Sequence, residues 1–323
     1  MCCRFVLEEA VVKEEENMSQ IYDLIILGGG PAGITAAIYA VRAKLNTLWL
    51  EKNFADGGQI LNTHKVDNYP GMPGIGGYEL GEAMTEHAEK LGISSMRENV
   101  CSVEKGQEEW IVRTRKKEYR AKTLIAACGA AHRKLGISGE EELGGMGVSY
   151  CATCDGAFFR DRTAVVVGGG NSAVEDAIFL ARACKKVYLV HRREELRAEK
   201  TLQEKLFACE NVEMVWNATV VHISGSEQVS SVTVQDVKNG EERVLETDGV
   251  FIAVGIEPNT KIFQKLLELD EEGYIKAGED GVTSAEGFFA AGDIRTKPLR
   301  QIVTAVADGA NAVTSAQKYL LKT

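Results

Sequence analysis

The chain has 323 residues, 45% of them hydrophobic and 26% charged, a length and composition suited to two globular domains that each bury a core. A mean hydropathy of -0.13, with no apolar run near the ~18 residues a bilayer span needs, excludes a transmembrane helix. A formal charge of -10 argues against nucleic-acid binding, since no broad basic face balances a phosphate backbone.

Residues 1–17 carry five glutamates, one arginine and one lysine. They have neither a basic leader nor an apolar stretch with a cleavage site, so they read as a disordered acidic extension, and Met18 offers an alternative start. A cytoplasmic location is expected, with Cys2 and Cys3 as tail thiols. From Tyr22 the pattern is strand (YDLIIL), glycine turn (GGGPAG), helix (ITAAIYAVRAK) and strand (NTLWLE). It recurs from Thr163 as TAVVV, GGGNSA, VEDAIFLARAC and KKVYLVHRR, with Gly28 answered by Gly168, Ala37 by Ala177, Ile38 by Ile178 and Ala43 by Ala183. Two such units predict an α/β protein with two Rossmann-like, doubly wound dinucleotide-binding domains.

Between them, residues 57–82 are rich in glycine and hold Pro70 and Pro73, which suggests a loop wrapped around a ligand, too irregular for a helix or long strand. Alternation from Val212 to Val254 predicts a small antiparallel or mixed sheet. Glu257, Pro258 and Asn259 suggest a turn, and an alanine-rich helix is expected from about Gln301 to Leu321. If that helix docks back on the first unit, one domain is discontinuous, 18–133 with 259–323, and 134–258 is inserted in it.

In the first unit Gly28, Gly30 and Gly33, with Pro31 and Ala32 between them, form GxGxxG after a strand and at a helix start. This turn lets backbone approach a pyrophosphate, whose charge then meets the helix N-terminus. Glu51 ends the next strand, where a carboxylate can accept hydrogen bonds from a ribose diol. In the second unit Gly168, Gly170 and Ala173 make GxGxxA around Asn171 and Ser172. The position matching Glu51 is His191, followed by Arg192, Arg193 and Arg197. Cations in place of an acid favour a 2′-phosphate, so this site is expected to take NADPH; a solvated basic helix start is the alternative.

Cys151-Ala-Thr-Cys154-Asp155 stands just before the second unit. Of eight cysteines, only this pair has the spacing of a working couple, and without a second CxxC or paired histidines no metal is expected. Such a pair can close an easily reduced disulfide. Asp155 could exchange the proton that thiol and thiolate trade, or cap a helix, or both. Cys101, Cys184 and Cys209 are most simply buried small hydrophobes. Phe158 and Phe159 suit either a core or an apolar docking surface. Gly292-Asp293 follows the apolar FFAA, and Arg300-Gln301-Ile302 opens the last helix. An aspartate for a sugar-alcohol hydroxyl and a helix N-terminus for negative charge suit a flavin, which makes the first dinucleotide FAD.

These motifs, with Gly57-Gly58-Gln59, Asn68-Tyr69-Pro70-Gly71, Arg197-Ala198 and AAGD before RQI, resemble the bacterial low-molecular-weight thioredoxin reductases from about Met18 to the C-terminus. The resemblance implies a homodimeric enzyme passing electrons from NADPH through FAD and a Cys151–Cys154 disulfide to thioredoxin, with rotation of the inserted domain presenting nicotinamide and disulfide in turn. It places Glu51, Gly57, Gly58, Gln59, Asn68, Gly129, Asp293 and Gln301 at FAD, makes Asp155 the acid, and assigns Cys151 as attacking thiol and Cys154 as the flavin-facing one. Where the family often has Ala-Thr-Gly, this chain has Ala127-Cys128-Gly129, which points to the backbone of that turn rather than its side chain. A related flavin disulfide reductase or dithiol oxidase with another substrate, or a flavin redox sensor without turnover, would keep most of these motifs.

Overall fold

The computed structural model describes residues 20–63 and 65–322. The acidic extension expected at 1–17 lies outside the described residues. Strand β1 (Ile21–Leu27) is buried from Leu24 onward, as a central parallel strand requires. A glycine turn leads into helix α1 (Pro31–Arg42), where Pro31 occupies a first-turn position whose N–H has no helical partner in any case. The chain returns as β2 (Thr47–Glu51), parallel to β1. The segment expected to be irregular throughout contains a 3₁₀ turn at Gly58–Asn62 and the start of α2 (Gly77–Lys90). The glycines hide that start, but Glu79 Oε2 accepts the Gly76 N–H at 3.3 Å and caps it.

β3 (Met96–Arg97) pairs with β2, and β4 (Val100–Lys105), β5 (Trp110–Thr114) and β6 (Glu118–Ala126) follow. Then come β7 (Ala130–His132), β8 (Val148–Ser149) and the single-turn α3 (Ala152–Asp155). The second βαβ unit is β9 (Thr163–Gly168), α4 (Asn171–Ala181) and β10 (Lys186–His191). Helix α5 (Lys200–Phe207) and β11 (Val212–Trp216) precede a meander of β12 (Ala218–Gly225), β13 (Val229–Asp236) and β14 (Glu242–Glu246). The chain closes with β15 (Gly249–Ala253), β16 (Ile256–Pro258), β17 (Phe288–Ala290) and α6 (Ile302–Leu320).

One sheet has the order β3-β2-β1-β6-β5-β4, with β17 beside the second half of β6. A second, β11-β10-β9-β15-β8, is parallel throughout. The single sheet expected over 212–254 is therefore divided: β11 and β15 join the parallel layer, and only β12–β14 form an antiparallel sheet. Their short alternating runs look alike in sequence, and the pairing is decided by long-range burial. The expected turn at 257–259 begins as strand β16, paired with β7.

The chain divides into two compact units. One runs up to Leu61, includes Gly76–Ala131 and resumes from Glu257; the other holds Asn62–Ile75 and His132–Ile256. In the first, α6 lies against α1, and a Cβ on Gly309 would meet the Ala32 carbonyl oxygen at 2.3 Å. The stripe that α6 buries, Ala305, Asp308, Gly309, Ala312, Val313 and Ala316, includes one acid. Asp308 accepts bonds from Arg295 Nε (2.8 Å) and Nη2 (2.6 Å), Lys297 Nζ (2.8 Å) and the Gly292 N–H (2.9 Å). Both cationic side chains are buried, so removing their shared anion strands two charges. Asp308→Ala is expected to cost about 3–5 kcal/mol, read as an earlier urea transition of the first unit, and Asp308→Asn less; an unchanged midpoint would contradict this.

Candidate active site

In the first unit the glycine turn is set by contact distances. Gly28 has φ +115°, and a Cβ there would lie 2.4 Å from the Ala127 carbonyl oxygen; at Gly33 it would lie 1.9 Å from the Gly28 oxygen. Only glycine lets strand end and helix start approach so closely. Gly30 is extended just before α1, followed by Pro31 and Ala32 in its first turn. Glu51 is buried, and its two oxygens accept the N–H groups of Gly29 (2.5 Å) and Asn53 (2.6 Å). Each carboxylate oxygen keeps a further acceptor site.

The loop after β2 is folded over this turn. Gly57 donates its N–H to the Gly29 carbonyl at 2.6 Å, Gly58 has φ +63°, and the Gln59 side chain donates to the Ala130 carbonyl. A bidentate pair of Arg97 with Asp56, at 2.8 Å for each bond, and a 2.7 Å bond from Ser95 anchor the loop. Cys128 points inward, donating to the Leu27 carbonyl at 3.3 Å, and burial pushes its thiol up to about 12. The thiol is thus committed to the interior. Gly129, with φ +63° and nothing within 4 Å of a Cβ position, leaves the backbone of the turn open.

Gly292 and Asp293 follow β17 in a 3₁₀ turn. Asp293 Oδ1 is buried without a hydrogen-bond donor, 4.0 Å from Lys297 Nζ. Burial raises this carboxyl above the usual range, while Lys297 and Arg300 pull it back. Arg300 lies over the Tyr274 ring at 3.9 Å, and its Nε is also buried without an acceptor. Gln301 precedes α6, whose first residue is Ile302; the Gln301 N–H donates to Thr304 Oγ1 at 3.2 Å. A buried unpaired acceptor, an open positive-φ turn and a glycine cradle at a helix start are what a dinucleotide with a polyol chain requires, and these residues fit FAD. Asn68 lies in the segment that belongs to the second unit.

The second unit repeats the turn. A Cβ on Gly168 would fall 2.4 Å from the Ala253 oxygen, Ala173 is fully buried, and Gly170 has open space around it. Asn171 and Ser172 begin α4 as exposed residues. His191 does not stand with the arginines. Its ring is buried under Gly169, where a Cβ would meet it at 2.2 Å, with Nε2 3.1 Å from the Glu195 carbonyl and burial lowering its pKa. Charge arithmetic grouped it with cations, whereas the packing makes it the neutral floor of the turn. The loop above is tied down by Arg197 N–H to the Gly169 carbonyl at 2.7 Å and by Glu199 N–H to Asn171 Oδ1 at 2.9 Å. Arg192, Arg193 and Arg197 are exposed on it. Two of the loop's acids are engaged elsewhere, Glu194 with Lys238 and Glu199 with Asn171.

Cys151 and Cys154 form a disulfide across α3, with Cα atoms 5.3 Å apart. Asp155 ends α3 and makes no side-chain cap, so the helix-cap alternative is not what places it. Its Oδ2 accepts a 2.6 Å bond from Ser149 Oγ, which in turn accepts the Cys151 N–H at 3.1 Å. Phe159 is core, edge-on to Phe251, while Phe158 is 40% exposed with Lys65 Nζ 5.4 Å from its ring. Of the remaining thiols Cys184 is buried, but Cys101 is exposed and Cys209 partly so, which corrects their reading as core residues.

Residues that sequence reasoning missed are Asp308, Lys297, Asp56, Arg97 and Ser149. Asp308 has a signal, one acid on a stripe otherwise of alanine, glycine and valine, and Ser149 has none.

The family described as pyridine nucleotide-disulphide oxidoreductase matches residues 22–309. A thioredoxin reductase of Bacillus subtilis is 50% identical over 302 residues, 93% of this chain and 95% of that protein. One of Listeria innocua is also 50% identical, over 93% of this chain and 94% of its own length. The crystal structure of thioredoxin reductase from Streptococcus pyogenes aligns with a TM-score of 0.90 and 46% identity, covering 94% of this chain and 99% of that one. With two glycine turns, a CxxC disulfide and this breadth of likeness, the chain belongs to the thioredoxin reductases of the pyridine nucleotide-disulphide oxidoreductase family.

Proposed function

We propose that the residues described above carry electrons from NADPH, by way of FAD, to the Cys151–Cys154 disulfide and from it to oxidised thioredoxin. The observation that carries this reading is the disulfide one residue ahead of a carboxylic acid, in a unit whose nucleotide turn is edged by exposed arginines. Gly28, Gly30 and Gly33 with the start of α1 would hold the FAD pyrophosphate and Glu51 its ribose. Gly57, Gly58, Gln59, Gly129, Gly292, Arg300, Gln301 and Ile302 would complete the site within the first unit, with Asp293 offering an oxygen that has no hydrogen-bond donor to a ribityl hydroxyl. Gly168, Gly170, Asn171, Ser172 and Ala173 would hold the NADPH pyrophosphate above the neutral floor of His191. Arg192, Arg193 and Arg197 would take the 2′-phosphate. Bound FAD would supply the two-electron carrier between NADPH and the dithiol.

In the dithiol form the Cys151 thiolate attacks the thioredoxin disulfide, forming a mixed disulfide and releasing one thioredoxin thiolate, which takes a proton from Asp155. Cys154 then gives its proton to the emptied Asp155 carboxylate and attacks Cys151 Sγ as the thiolate, re-forming the internal disulfide and releasing the second thioredoxin sulfur, which takes that proton back from Asp155. The family resemblance also carries a homodimer, which sedimentation would test, and a cytoplasmic location. A dithiol oxidase would share the flavin and CxxC sites but would pass electrons from a substrate dithiol to oxygen, with no need of NADPH.

Cys154→Ser should leave flavin bleaching by NADPH at its normal rate in stopped flow and reduce thioredoxin turnover at least about a hundredfold; normal turnover would contradict the relay. Changing Arg192 and Arg193 together to Ala should raise KM for NADPH about tenfold or more, with kcat and the KM for NADH little changed. Equal effects on both nucleotides would remove the 2′-phosphate assignment.

A further inference from the structure

Ser149 lies on β8, the two-residue edge strand whose partner is β15, with Ser149 in register with Phe251. It is 6% exposed, so its hydroxyl must find partners inside the protein. It stands within 2.6 Å of Asp155 Oδ2, 3.1 Å of the Cys151 N–H nitrogen and 3.4 Å of the Cys151 carbonyl oxygen. One hydroxyl thus joins the residue that precedes α3 to the residue that ends it. A serine hydroxyl has one hydrogen and two acceptor sites.

Asp155 and the Cys151 N–H can both be engaged in either protonation state of Asp155. The Cys151 carbonyl, which already accepts the Cys154 and Asp155 N–H groups at 3.2 and 3.1 Å, takes the serine hydrogen in one state only. With Asp155 ionised, Ser149 donates to Oδ2 and accepts from the Cys151 N–H. With Asp155 protonated, the carboxyl donates to Ser149 Oγ, Cys151 N–H still donates to it, and the serine hydrogen turns to the Cys151 carbonyl. We propose that Ser149 is a positioning residue that holds Asp155 against the Cys151 backbone through its whole proton cycle, by switching one hydrogen between the carboxylate and that carbonyl. This rests on the reading of Asp155 as the acid. No electron or proton leaves Ser149: when Asp155 gives its proton to a departing thiolate, the serine hydrogen rotates to the new carboxylate.

The test is a double-mutant cycle on the FAD-loaded enzyme, reduced with NADPH and mixed with oxidised thioredoxin. Thioredoxin dithiol formed in a single turnover is trapped by acid quench and alkylation. S149A should slow this step about tenfold, the loss of one hydrogen bond to a charged group, while flavin reduction by NADPH is unchanged. S149T, which keeps the hydroxyl, should stay within about threefold of the unmodified protein. D155N should be slower by about a hundredfold or more, and S149A combined with D155N should add nothing further. An asparagine still accepts the serine hydrogen, so a purely structural serine would cost the same about tenfold in the D155N background. Multiplying effects, or S149A at full rate beside a slow D155N, overturns the Ser149 role alone. D155N at full rate overturns the acid assignment and this inference with it.

Discussion

A Cβ at Gly33 would sit 1.9 Å from the carbonyl oxygen of Gly28, and one at Gly309 would sit 2.3 Å from that of Ala32. These two contacts lock α1 between the end of β1 and the last helix. A helix start held this tightly to a strand end presents unpaired N–H groups at a fixed point, which is the condition for binding a pyrophosphate. Everything else in the first unit is arranged around that point: Glu51 braces the turn from the next strand, Gly57 hangs the following loop on Gly29, and Asp308 fixes Gly292 from α6. The second unit meets the same constraint with different residues. Gly168 approaches Ala253, Ala173 stands where the first unit has Gly33, and His191 fills the space beneath Gly169.

The two turns, the exposed arginines after the second far strand and the CxxC pair were legible in the chain because each is local, a matter of spacing along a short stretch of sequence. What was not legible depends on contacts between distant segments. His191 occupies the same sequence position as Glu51, but Gly169 and Trp216 bury its ring and leave the arginines outside. The alternating runs of β11 and β12 look alike, yet one enters a parallel layer and the other a meander. Asn62–Ile75 belongs to the second unit although in the sequence it lies between two segments of the first, the one up to Leu61 and Gly76–Ala131. Cys128, where the family often has threonine, turns into the interior, so backbone rather than side chain is offered at that bend.

Charge is handled locally. Against a formal charge of -10, the exposed Arg192, Arg193 and Arg197 form a small cationic edge on a loop tied to the glycine turn. In the first unit the cations Arg295 and Lys297 are buried and held by Asp308, where the low dielectric makes each pairing strong and each vacancy costly. Asp293 Oδ1, 4.0 Å from Lys297 Nζ, is buried in that cluster without a hydrogen-bond donor. At the dithiol a neutral hydroxyl, Ser149, does the corresponding work.

The most direct measurement is NADPH consumption by the FAD-loaded protein titrated with oxidised thioredoxin. A saturable rate that requires thioredoxin, with one thioredoxin dithiol formed for each NADPH oxidised, is the result predicted. A rate indifferent to thioredoxin, with electrons passing to oxygen instead, would contradict the account.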